Sequence, residues 1–155
     1  MIEIERKFLV RSDAYKNEAS RSYDIQQGFL NTDPERTVRV RLADSKGILT
    51  VKGLTDDSGL KRFEWEKEID REEAIALLAL CEPGKIEKRR YEVAAGRHIY
   101  EVDDFFGSNQ GLVVAEIELV DADEMFEKPD WLGEEVTGDI RYYNAQLAKK
   151  PFQDW

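Results

Sequence analysis

The first side chains whose spacing suggests chemistry are Glu3, Glu5 and Lys7 in "IEIERKF", residues 2 to 8. If the Ile-Glu-Ile-Glu alternation marks a strand, successive side chains point to opposite faces, so these three share one. Two carboxylates and a cation on one side of a strand suit either a half-buried sheet with a wet face or a site that wants carboxylates in pairs. A second pair of this kind is Glu116 and Glu118 in "AEIEL". If the two pairs converge, they make an all-oxygen site for a hard divalent cation such as Mg²⁺ or Mn²⁺. Lys7, Arg39, Arg41, Lys52, Lys88 and Arg90 would then supply donors matched to phosphate oxygens, arginine in bidentate fashion. A ligand carrying several phosphates plus metal satisfies both sets at once.

These residues fall on strand-like segments: 2–10, 23–31, 36–43, 47–54, 62–70, 86–94, 97–105 and 112–120, eight in all. Most are joined by short turns rich in Asn, Asp, Gly, Pro and Ser, such as "NTDPE", "DSKG" and "TDDSG", and short links favour antiparallel neighbours. Helices are predicted over "REEAIALLALC" (71–81), with Asp70 as N-cap, Glu73 at the capping-box position and Gly84 beyond the end. Two further pieces read as helical, "DADEMFE" (121–127) and "GDIRYYNAQLAKK" (138–150).

Parity carries the charged face from strand to strand. Arg39 and Arg41 oppose Val38, Val40 and Leu42, while Arg62, Glu64, Glu66 and Glu68 share a face, as do Lys88 and Arg90, then Glu101 and Asp103. Alternation alone favours a solvated outer face. Grouping by sign argues the other way, because acids gather on strands one, five and eight and bases on three, four and six, where solubility is better served by mixed signs. Eight antiparallel strands are about the number that closes into a small barrel with room for side chains or one ligand. Such a sheet can close with either face inward.

Bulk composition limits the alternatives. With 155 residues, 41% hydrophobic and 36% charged, the chain suits one soluble domain over 1–155. A formal charge of −10 makes it a poor general partner for nucleic acid or an anionic membrane. Cys81, the one cysteine, sits in an Ala/Leu-rich stretch and reads as core, so no disulfide framework is available and a reducing cytoplasm is expected. No apolar run approaches the roughly 18 residues of a membrane span. His98, with no histidine or cysteine companion, reads as a packing or surface residue. Trp65 and Tyr91 lie at the opposite parity from the charged series and read as outer packing.

The ordered set "EIERK", "QGFL", "VRVRL", "TVKG", "FEWEKEID", "KRRY", "VDDF" and "AEIEL" resembles the CYTH superfamily of triphosphate tunnel metalloenzymes over nearly the whole chain, and the ending "WLGEEVTGDIRYYNAQLAKKP" resembles its small bacterial members. The resemblance implies an α+β, mainly β fold: an eight-stranded antiparallel barrel with the charged face inward and helices packed outside. It implies divalent metal, Mg²⁺ or Mn²⁺, at Glu3, Glu5, Glu116 and Glu118, with Asp103 as a further acid. It implies triphosphate binding by Lys7, Arg39, Arg41, Lys52 and Arg90, with Lys88 near the scissile phosphate, so that Glu3, Glu5, Lys88, Glu116 and Glu118 form the catalytic set. Arg62, Glu64 and Glu66 match less distinctively and are expected to line the tunnel, Arg62 among the substrate-binding bases. The activity implied is metal-dependent hydrolysis of inorganic tripolyphosphate to pyrophosphate and phosphate. Relatives on the same fold that cyclise ATP or hydrolyse thiamine or nucleoside triphosphates are alternatives, and a non-catalytic polyphosphate-binding module is the rival from another class. Val38, Val40 and Ile117 on the outer face call for cover by helices or by a second copy, which leaves a homodimer open.

Overall fold

The computed structural model describes residues 1–155. The strands are β1 (Ile2–Val10), β2 (Arg21–Asn31), β3 (Arg36–Ala43), β4 (Lys46–Gly53), β5 (Lys61–Ile69), β6 (Ile86–Ala95), β7 (His98–Phe105), β8 (Val113–Leu119) and β9 (Leu132–Glu135). The helices are α1 (Tyr15–Glu18), α2 (Arg71–Ala79) and α3 (Asn144–Lys149). Hydrogen-bonded neighbours run β5-β4-β3-β2-β6-β7-β8-β1, and β1 pairs again with β5, so eight antiparallel strands close into a barrel. All eight strand segments expected from alternation are present.

Closure is uneven. β1 meets β5 over only Ile2↔Phe63, Glu3↔Arg62 and Ile4↔Lys61, whereas its other edge follows β8 from Ile4 to Leu9. The remaining part of the first edge is taken by β9, which pairs at Phe8↔Glu135 and Val10↔Leu132. This ninth strand was not expected; four residues of "LGEE" are too short to show a period.

The apolar parity of the strands faces outward, where helices and loops cover it. Val40 packs against Ala74 and Leu78 of α2. Ile117, Tyr100 and Val102 join Trp131 and Tyr15 in a larger core outside the sheet. Phe105, Ile86 and Val114 pack with Leu147 of α3 and Tyr142. Val40 and Ile117 are therefore covered from within the chain. Cys81 packs, partly buried, beside the α2 cluster, and the Sγ and Cβ of Cys81 lie so close to Gly28 that a Cβ there would stand 2.9 Å from each.

Two of the three predicted helices need correction. α2 carries its capping box, with Asp70 accepting from the Glu73 backbone and Glu73 reaching back. Residues 121–123 form a turn and 124–127 are irregular instead, because the Asp121 side chain accepts from the Asp123 N–H (2.8 Å) and so competes with helical bonding. The C-terminal run is split: Ile140–Tyr142 is one 3₁₀ turn, Tyr143 is extended, and only then does α3 begin.

Candidate active site

The inward parity is the charged one. A cavity of about 560 Å³ at one end is lined by Lys7, Arg62, Lys88, Thr137, Tyr143 and Asn144, among others, and one of about 400 Å³ at the other end by Glu64, Glu66, Glu101 and Glu118. Glu3, Glu5, Glu116, Arg39, Arg41, Lys52 and Arg90 border both. The tunnel thus runs from a base-rich end to an acid-rich end.

Strand register explains which side chains meet. Glu5 lies opposite Glu118 and Lys7 opposite Glu116 across β1 and β8, and Glu3 lies opposite Arg62 across the β1–β5 seam. The acids draw together two by two rather than into a cage of three or more. Glu5 and Glu116 are in hydrogen-bond contact, and burial together with the Glu116 charge raises the Glu5 carboxyl well above its ordinary range. Glu116 is itself lowered despite its burial, because Lys7, the Glu5 hydrogen bond, Arg90 and Lys88 favour its charge. Glu3 and Glu64 form a second pair: burial and the bond to Glu3 push Glu64 up to about 8. Glu3 is lowered against its own burial by Glu64 and by Lys52, whose Nζ is 3.1 Å away. Glu118 stands exposed at the tunnel end, raised by partial desolvation and by Glu3 and Glu101.

The bases stand opposite. Arg41 donates through Nε to Gln27 (2.9 Å), and burial beside Arg39 and Arg90 lowers its guanidinium to about 9. Arg39 donates to Thr50, and its buried Nε has no partner within the protein. Such an unmatched donor costs on the order of 1 to 3 kcal/mol unless a ligand or water accepts from it. Arg62 bonds Gly53 O and Thr37, and Lys7 sits 5.0 Å from the Tyr143 ring centroid. Burial lowers Lys88 to about 7 even though Asp103 lies 2.8 Å away. Arg90 keeps its charge, because Asp103 and Glu101 outweigh the cost of burying it.

Asp103 was expected with the metal-binding acids. Its geometry is different: one oxygen accepts from Arg90 Nε (2.8 Å), the other from Arg90 (2.9 Å) and Lys88, and it borders neither cavity. The acid holds the bases in place. Two uncharged residues were missed altogether. Gln27 and Asn144 bridge Arg41 and Lys88, and parity of charge carries no signal for them.

Residues set aside from the site lie outside it. His98 contacts Glu124 on the far side of the sheet, Arg89 pairs with Asp24 at the surface, and Trp131 is core.

The oxygen-rich pairs suit a hard divalent cation on chemical grounds: in each, two buried carboxylates in hydrogen-bond contact disfavour each other's charge, and a cation would satisfy both. Fold and site together define a class, the closed antiparallel tunnel lined by opposed acids and bases. The CYTH domain model matches residues 1–151, and the chain belongs to that family. It is 48% identical over 154 residues to the inorganic triphosphatase of Acetivibrio thermocellus, covering 99% of this chain and 97% of that one. Against the inorganic triphosphatase of Nitrosomonas europaea the identity is 36% over 152 residues, covering 96% and 97%. The crystal structure of the inorganic triphosphatase NE1496 superposes with a TM-score of 0.66 at 33% identity, covering 94% of this chain and 97% of that one.

Proposed function

We propose that this chain hydrolyses inorganic tripolyphosphate to pyrophosphate and phosphate with a divalent cation, Mg²⁺ or Mn²⁺, in a reducing cytoplasm. The observation that carries the reading is the meeting of paired carboxylates with a ring of bases, one of them with an unmatched buried donor, between the two cavities. The two near-full-length relatives named inorganic triphosphatase support the choice of substrate.

Phosphoryl transfer asks for positioning and charge stabilisation more than for covalent help. Arg39, Arg41, Lys52, Arg62 and Arg90 surround the phosphate oxygens, with Lys7 and Lys88 toward the base-rich end. Glu3, Glu5, Glu116 and Glu118 are the residues that would hold metal, with Glu5 and Glu116 already in contact across the tunnel wall. When bound, a divalent cation neutralises phosphate oxygens and acidifies a water. Asp103 keeps Arg90 and Lys88 aimed inward. Glu64 and Glu66 line the acid-rich end, which repels phosphate and so favours one orientation of a linear polyanion.

The test is phosphate release from tripolyphosphate, ATP and thiamine triphosphate side by side, with Mg²⁺, Mn²⁺ or EDTA. Fast metal-dependent hydrolysis of tripolyphosphate is expected. Cyclic AMP from ATP, or tight binding with no product, would overturn the reading in favour of a cyclase or a receptor. Glu5→Gln is expected to abolish turnover with the fold intact by circular dichroism, and Arg41→Ala to cost on the order of 2 to 4 kcal/mol in kcat/KM.

A further inference from the structure

Gln27 is fully buried on β2 with its amide inside the barrel. Its Oε1 accepts from Arg41 Nε (2.9 Å) and its Nε2 donates to Asn144 Oδ1 (2.8 Å). The same Asn144 oxygen accepts from Lys88 Nζ (2.8 Å). A continuous chain of hydrogen bonds therefore joins a base on β3 to a base on β6 through the first residue of α3. Its direction is forced. Arg41 is a donor only, so Gln27 must turn its oxygen to Arg41 and its NH₂ to Asn144, and Asn144 must turn to Gln27 the oxygen that also accepts from Lys88. Gln27 at 0% exposure, Lys88 at 1% and Arg41 at 9% have little water to replace a lost partner.

We propose that Gln27 and Asn144 are positioning residues for the phosphate-binding bases: they fix Arg41 and Lys88 in one geometry and make the C-terminal segment part of the site. Without Asn144, Lys88 keeps only Asp103 as a hydrogen-bonding partner, while Gln27 loses the bond that orients its oxygen. Arg41 then has an acceptor free to rotate away. Misplacement of about 1 Å in such groups costs up to about a hundredfold in rate.

The inference rests on the triphosphatase reading, and its test separates the two. Tripolyphosphate hydrolysis with Mg²⁺ is followed for wild type, Asn144→Ala, Asn144→Asp, Gln27→Leu and the double variant Gln27→Leu/Asn144→Ala, with melting temperatures alongside. Asn144→Ala and Gln27→Leu are expected to lose about tenfold or more in kcat while still folded at the assay temperature. Asn144→Asp keeps the one oxygen that the chain uses and should stay within about threefold of wild-type kcat. The double variant should fall little below the worse single variant, because both cut the same chain.

Unchanged kcat in folded Asn144→Ala, equal losses for Asn144→Asp and Asn144→Ala, or multiplying effects in the double variant would each overturn the proposal. Asn144 is only partly buried and begins a short helix, so Asn144→Ala supplies the readout should Gln27→Leu fail to fold. If wild type binds tripolyphosphate without turnover, the triphosphatase reading fails alone. Calorimetric affinity then judges the positioning role by the same pattern: weaker for Asn144→Ala, kept for Asn144→Asp. A wild type that neither turns over nor binds tripolyphosphate overturns both.

Discussion

At the scale of single residues, the tunnel is built from charges that burial would ordinarily forbid, and most are made tolerable by a partner of known geometry, the Arg39 Nε being left without one. Glu64 shows the cost. It binds its proton more tightly in the folded protein, about 8 against an ordinary 4.5. The stability it lends is therefore complete below about 4.5 and is lost as pH rises through about 8. Glu64→Gln removes that loss while keeping a hydrogen-bonding group beside Glu3. Its melting temperature should exceed wild type by several degrees at pH 9, with the difference vanishing below about pH 4. An equal shift at both pH values would mean that packing, not protonation, is at work. The charged residues were legible in the sequence because parity alone sorts them to one face. Their partners were not: Asp103 reads as one more acid until its two oxygens are seen on Arg90 and Lys88, and Gln27 and Asn144 carry no charge to draw the eye.

At the scale of elements, strands were easier to read than helices for a physical reason. Most barrel strands have one face against helices or loops and the other in a charged tunnel, so the period of two is written out in full. The C-terminal run has no such contrast: Asp139 accepts from the Arg141 N–H, and Tyr143 is extended, which places its ring by Lys7. α2 lies between these cases, with a capping box legible in "DREE" and a short buried stripe, Ala74 and Leu78, set on Val40. Asp70→Ala should cost about 1 kcal/mol in urea unfolding, with tripolyphosphate kinetics unchanged at 25 °C, because α2 packs on the outside of the wall. A change in KM there would place α2 in communication with the tunnel.

At the scale of the whole molecule, the barrel is closed by its weakest joint. β1 and β5 meet over three residue pairs, while β6 and β7 run together from Lys88↔Phe105 to Ala95↔His98. Local opening follows few and exposed contacts. Hydrogen exchange should therefore release the amides of 60–64 before those of the β6–β7 ladder, and bound tripolyphosphate should slow them, since Glu3 and Arg62 stand at the seam. Exchange as slow at the seam as in β6–β7 would show a uniformly tight wall. The sequence could not reveal this joint, because alternation tells which face a residue takes and not which strand lies beside it. The short seam also leaves β5 beyond Glu64 with no strand on its second edge. An open run of strand backbone invites another chain to pair with it and begin an aggregate. The residues there are Trp65, Glu66, Lys67, Glu68 and Ile69, and three consecutive charges make a poor template for an incoming strand. The glutamates of this strand thus serve the protein twice, inside as tunnel wall and along the rim as a guard that keeps concentrated solutions clear.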